Sequence, residues 1–164
     1  MRLSILALGL TALVSCGAAI AAPASLEVKF LEPGKYRDAG ERDEDRLLMQ
    51  STLGAHLKAL VEKYLPAEQQ LRVEVLDVDL AGEIWPPTRF LDRVRVMRSV
   101  SWPSIELHYS LSSGEQLLRQ AKVSVRDMSY LDRINVYPDG DSLRYEKAML
   151  DAWFRREFAV AGKP

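Results

Sequence analysis

The chain has 164 residues, with 22 Lys and Arg against 23 Asp and Glu, and 48% of it is apolar. A formal net charge of −1 and a pI near 6.2 exclude the basic surplus that nucleic acid or a polybasic membrane contact demands. A single cysteine, Cys16, excludes an internal disulfide, so the core is expected to be held by packing alone.

Met1-Arg2 is followed by an apolar run from Leu3 to Val14, one positive residue ahead of a short apolar core. This is the layout of a secretory signal peptide, and the run is shorter than the roughly 20 apolar residues that cross a bilayer. The leader is read as residues 1–24, with Ala19-Ile20-Ala21 and Ala22-Pro23-Ala24 offering small residues for ordinary cleavage. A second reading ends it before Cys16, because Leu13-Val14-Ser15-Cys16 looks like a lipobox in which the cysteine is lipidated. The expected location is the periplasm, or, for the lipidated form, the outer membrane with Cys16 as the anchor. No later stretch is apolar enough to span a membrane. Residues 25–164 are then one mature domain, long enough to bury about two-thirds of its unfolded surface.

Within that domain, Leu26-Glu27-Val28-Lys29-Phe30 alternates with period two and predicts a half-buried strand, ended by Pro33-Gly34. Asp43 is the candidate N-cap of a first helix, where Leu53, Leu57, Leu60, Val61 and Tyr64 share a face and Pro66 closes it. Leu71 to Leu80 predicts a strand whose apolar parity changes partway, from Leu71, Val73 and Val75 to Leu76, Val78 and Leu80. Successive strand side chains point to opposite faces, so either a bulge lies near Val75-Leu76 or both faces are covered. Residues 83–92, with Trp85-Pro86-Pro87, read as an excursion, and Val94 and Val96 alternate with arginines in a short strand. Ile105, Leu107, Tyr109 and Leu111 line the next strand, which Ser112-Ser113-Gly114-Glu115 turns back into an antiparallel partner over 116–125. A last helix runs from about Ser142 to Phe158, with Leu143, Leu150, Phe154 and Phe158 on one face. The order predicts an α/β (α+β) fold, a two-layer sandwich of a mixed four- to five-stranded sheet with two helices on one face.

Three stretches carry a resemblance: Asp77-Val78-Asp79-Leu80-Ala81-Gly82-Glu83, Arg126-Asp127-Met128-Ser129-Tyr130-Leu131, and Leu143 to Phe154. Behind a signal peptide they resemble the exported Gram-negative family called domain of unknown function 3016, over about Leu26 to Phe158. That resemblance implies an envelope location and the extent of the domain, and it implies no activity, ligand or catalytic residue.

Chemistry has to be sought in the residues themselves. Asp77, Asp79 and Glu83 form the densest acidic cluster, and Asp77 and Asp79 on one strand face stand about 7 Å apart. That spacing suits an acid/base pair or a shared divalent ion, although pairing with neighbouring arginines is the commoner use. His56 borders the apolar face of the first helix, His108 points away from that of its strand, and neither has zinc-site spacing. No G-x-S-x-G, P-loop or G-x-G-x-x-G motif occurs, and no cofactor is implied. Arg93 and Arg95, in a locally basic stretch with Trp85 and Trp102 nearby, are the candidate binding surface for an acidic partner or an anionic ligand. Glu146 falls inside the apolar sector of the last helix and requires a partner there. The leading expectation is a non-catalytic binding module whose partner is an envelope protein or an anionic ligand. The alternative is a metal-dependent or acid/base hydrolase using the Asp77/Asp79 cluster.

Overall fold

The computed structural model describes residues 22–85 and 94–159. Residues 1–21 of the expected leader, Cys16 among them, and Arg93 lie outside the described residues. Among the described residues six strands and two α-helices follow one another as β1 (Ser25–Phe30), α1 (Asp43–Tyr64), β2 (Gln69–Asp79), β3 (Glu83–Trp85), β4 (Val94–Val96), β5 (Ser104–Ser113), β6 (Gln116–Arg126) and α2 (Arg144–Phe158). The main sheet has the order β1-β2-β5-β6, with β1 parallel to β2 and the other pairs antiparallel. β3 and β4 form a separate two-stranded sheet. This is the mixed sheet with two helices on one face that the sequence predicts, and the small second sheet pairs β3, at the start of the expected excursion, with β4, the short strand expected after it.

The parity change in β2 is a bulge, seen as a shift of its register against β5 between Val75 and Asp77. One extra residue there keeps Leu71, Val73, Val75 and Val78 all buried under the helices. It also turns Asp77 and Asp79 to the opposite, open face, where Glu106 of β5 stands across from Asp77. α1 buries Leu53, Leu57, Leu60 and Val61 of the expected stripe and Met49 besides, with Tyr64 half-buried at its end. Its N-cap is Arg42 rather than Asp43, because Asp45 serves the helix start: its carboxylate accepts the Arg42 backbone N–H at 3.3 Å and binds the Arg42 guanidinium at 2.9 Å. α2 lays Met149, Leu150, Trp153, Phe154 and Phe158 into the same core. Tyr109 meets Trp153 and Phe158 edge-on, with ring centroids 5.8 and 5.4 Å apart, arrangements that add to plain burial.

Past β1 the chain loops out and rejoins the β2 edge at Asp38. The Asp38 N–H donates to Val78 O at 3.0 Å, and Leu80 N–H donates to Asp38 O at 3.1 Å. The loop thus leaves β1 beside Val75 and rejoins beside Asp79, running along the β2 edge from the carboxyl end of β1 to that of β2.

Candidate functional site

At those carboxyl ends the loop delivers two consecutive charged residues to β2. The Arg37 backbone N–H donates to Asp77 Oδ1 at 2.9 Å and its Nε to Asp77 Oδ2 at 2.5 Å, so both carboxylate oxygens are engaged. The same guanidinium stands 3.5 Å from Asp79 and 4.0 Å from Glu106, and donates to Ser104 Oγ at 3.3 Å. Burial raises the Asp79 carboxyl above its ordinary value, with Arg37 pulling the other way. The structure thus brings Asp77 and Asp79 together on one face, as their spacing implies, and joins them through an arginine. Among the described residues no group of three or more His, Cys, Asp or Glu is placed to hold a metal ion.

Behind this cluster β2 ends in a sharp corner at Ala81-Gly82, and charged side chains serve its peptide groups. Glu146 of α2 accepts the Ala81 N–H at 2.7 Å. Arg95 of β4 donates to the Ala81 and Gly82 carbonyls at 3.2 Å and forks onto Asp38 at 2.7 and 3.1 Å. Glu146 is 1% exposed, its Oε2 has no hydrogen-bond partner, and burial pushes its carboxyl up. The carboxylate that the sequence marks as needing a partner finds a backbone N–H, and Arg95 acts on it only through space.

The remaining sequence candidates disperse. Glu83 accepts from Ser101 Oγ at 2.6 Å and pairs with Arg98 at 3.4 Å. His108 stands 3.5 Å from Glu74 across the open sheet face, and no contact joins it to Asp77 or Asp79. Arg95 is enclosed by its Asp38 pair and does not present a free cation. Trp85 and Trp102 are exposed, as a binding rim requires.

Besides these two tryptophans, further large apolar side chains that the sequence reading did not single out stand exposed on two segments of the chain. Tyr130 ties the excursion to the loop after β6: its O–H donates to Arg98 O at 2.8 Å and accepts the Arg98 N–H at 3.0 Å. Asp127 N–H adds a bond to Pro103 O at 3.2 Å. Trp85 and Val94, cross-strand partners in the small sheet, stand exposed together with Val100 and Trp102. The joined loop exposes Met128, Leu131, Ile134 and Val136.

A family model for proteins of unknown function, DUF3016, matches residues 24–156. The chain belongs to this family. Neither the curated proteins nor the solved structures yield a match. In this DUF3016 domain sequence reasoning missed Arg37 and Asp38, because a charged pair in a connecting loop has no periodicity to mark it. It also missed the polar joint between the helices, where Asp151 accepts from Tyr137 O–H at 2.7 Å and meets His56 Nε2 at 2.9 Å. Asp151 does lie one residue outside the apolar stripe of its helix, and a polar residue there was the available signal.

Proposed function

We propose that the chain is exported to the bacterial envelope and acts there as a non-catalytic interaction module. Its contact surface is built from the described residues 83–85 and 94–103 and from the 127–136 loop. One observation carries this reading: large apolar side chains stand exposed on two segments that Tyr130 and Asp127 fasten together. Large apolar side chains exposed on segments fastened to each other cost solubility and are characteristic of a contact surface. Tryptophan is also among the residue types that dominate binding energy. Against the hydrolase alternative, Asp77 spends both oxygens on Arg37, which leaves no free carboxylate beside Asp79 to form an acid/base pair.

The test is a photo-crosslinking residue at Val100 in living cells, with the chain expressed from its own leader. A single dominant protein should be captured, and Trp102→Ser should cut that capture at least about tenfold, the loss expected for a tryptophan anchor. Capture that is diffuse, or equal in Trp102→Ser, would overturn the proposal.

A further inference from the structure

α1 packs on the sheet along one side, and a helix so placed is expected to be polar on the other. Its outer side is only partly so. Leu47 and Leu48 stand 65% and 62% exposed in the second turn, and Ala55 and Ala59 are exposed further along. Ala55 also belongs to an open hollow of about 360 Å³ beside the helix, lined by Ser51, Thr52, His56 and, from α2, Lys147. The polar ends of this lining are engaged. Ser51 Oγ donates to Leu48 O at 2.9 Å, His56 Nε2 meets Asp151 at 2.9 Å, and Lys147 Nζ donates to Asp141 at 2.6 Å. The surface left to the hollow is mainly apolar.

The outer side also carries a seam. Glu44, Leu48, Ser51, Ala55, Lys58 and Glu62 follow one another at alternating steps of four and three, the spacing at which helices pack along their length. Its charges are unequally placed. Glu44, near the amino-terminal end, has Arg42 no closer than 3.8 Å. Lys58 and Glu62, one turn apart, make no ion pair with each other or with any other described residue.

A two-fold axis through Ser51, perpendicular to the helix, matches these features to one another. It lays a second α1 antiparallel on the first, so that each residue faces the one equally far beyond Ser51. Leu47 then meets Ala55, and Leu48 enters the hollow between Thr52 and Ala55. Glu44 meets Lys58, and Glu62 comes opposite the helix start, where Arg42 stands. No like charges face each other along the seam. We infer that the outer side of α1 is a self-association surface, on which a second copy of this chain docks antiparallel about that axis. It uses none of the residues of the contact surface proposed above. From Glu44 to Lys58 the seam is about 21 Å long, and a contact of one helix on another falls below the roughly 1,200 Å² of stable complexes. The dimer therefore dissociates at about 10–100 µM.

The test is sedimentation equilibrium of the exported chain, expressed from its own leader, at concentrations spanning that range. The parent should show a reversible monomer–dimer equilibrium. Leu48→Glu carries a carboxylate into the hollow and should weaken the dimer at least about tenfold. Glu44→Lys and Lys58→Glu should each weaken it about fivefold, because each reversal is repeated across the axis. The double reversal should return to within about twofold of the parent. These positions are exposed, so the urea midpoint of every variant should match that of the parent. A chain that stays monomeric throughout, a dimer that Leu48→Glu leaves intact, or a double reversal no tighter than the single ones would overturn the inference. A dimer lost in Trp102→Ser and kept in Leu48→Glu would overturn it in favour of the tryptophan surface.

Discussion

Glu146 is the residue whose placement has the most direct thermodynamic consequence. Its side chain is 1% exposed, with one oxygen on the Ala81 N–H and the other unpartnered. Burial raises the folded-state pKa above the ordinary 4.5, and the Arg95 charge offsets only part of that rise. The neutral acid is therefore favoured in the fold, and stability falls as pH climbs from 4.5 towards the folded value. Glu146→Gln keeps an acceptor for Ala81 and removes the ionisation. It should be more stable than the parent in urea unfolding at pH 8, with the gap closing as pH approaches 4.5. A pH-independent difference would mean that the carboxyl is not the cause. Arg95 shows the same economy of position. Its row looked like a free binding surface, yet its fork is spent on Asp38 and two carbonyls of the β2 corner.

At the scale of elements the corner itself is the weak point. Gly82 has φ +76, and a Cβ there would stand 2.5 Å from Val96 O. Gly34, by contrast, would bring a Cβ into open space. Gly82→Ala should cost about 2–4 kcal/mol, combining left-handed strain with displacement of β4. Gly34→Ala should stay within about 0.5 kcal/mol, and comparison of the two urea midpoints decides it. Loss of stability that is the same at both sites would remove the corner as the cause. The elements legible in the sequence are those with a period: the Leu53–Val61 stripe of α1, the alternation of β5, and the parity change in β2 that became the bulge. Asp77 and Asp79 were legible as a pair for the same reason, since spacing alone put them on one face. The corner was not, because Asp38, Ala81, Arg95 and Glu146 come from four distant stretches and meet only through tertiary contact. The Val94–Val96 alternation showed β4 as a strand, whereas β3, three residues inside the excursion, and its pairing with β4 had no such mark.

Across the whole molecule, the contact surface is held to the helical layer by a joint that acid should loosen. His56 of α1 sits between Asp151 and Lys147 of α2 and Tyr137 and Asp141 of the loop, with its ring edge-on to Tyr137 at 5.7 Å. Burial lowers its pKa below the ordinary 6.5, more than the Asp151 carboxylate raises it. The neutral imidazole is therefore favoured in the fold. Its contribution is complete above 6.5 and declines as pH falls from 6.5 towards the folded value, below which it is fully lost. Glu146 acts in the opposite direction, so the pH profile of the parent chain alone mixes two terms of opposite sign. The difference between parent and His56→Gln isolates the imidazole. It should shrink as pH is lowered from 7.5 to 5.5, because only the parent loses stability through His56 over that interval. A difference that stays constant would show that His56 does not ionise on unfolding in this range. Asp151 also holds Tyr137, which follows directly after the exposed Val136. Protonation adds its charge at Nδ1 while Nε2 keeps its bond to Asp151, so the cost in acid is the burial of that charge, and the Tyr137–Asp151 bond stays in place.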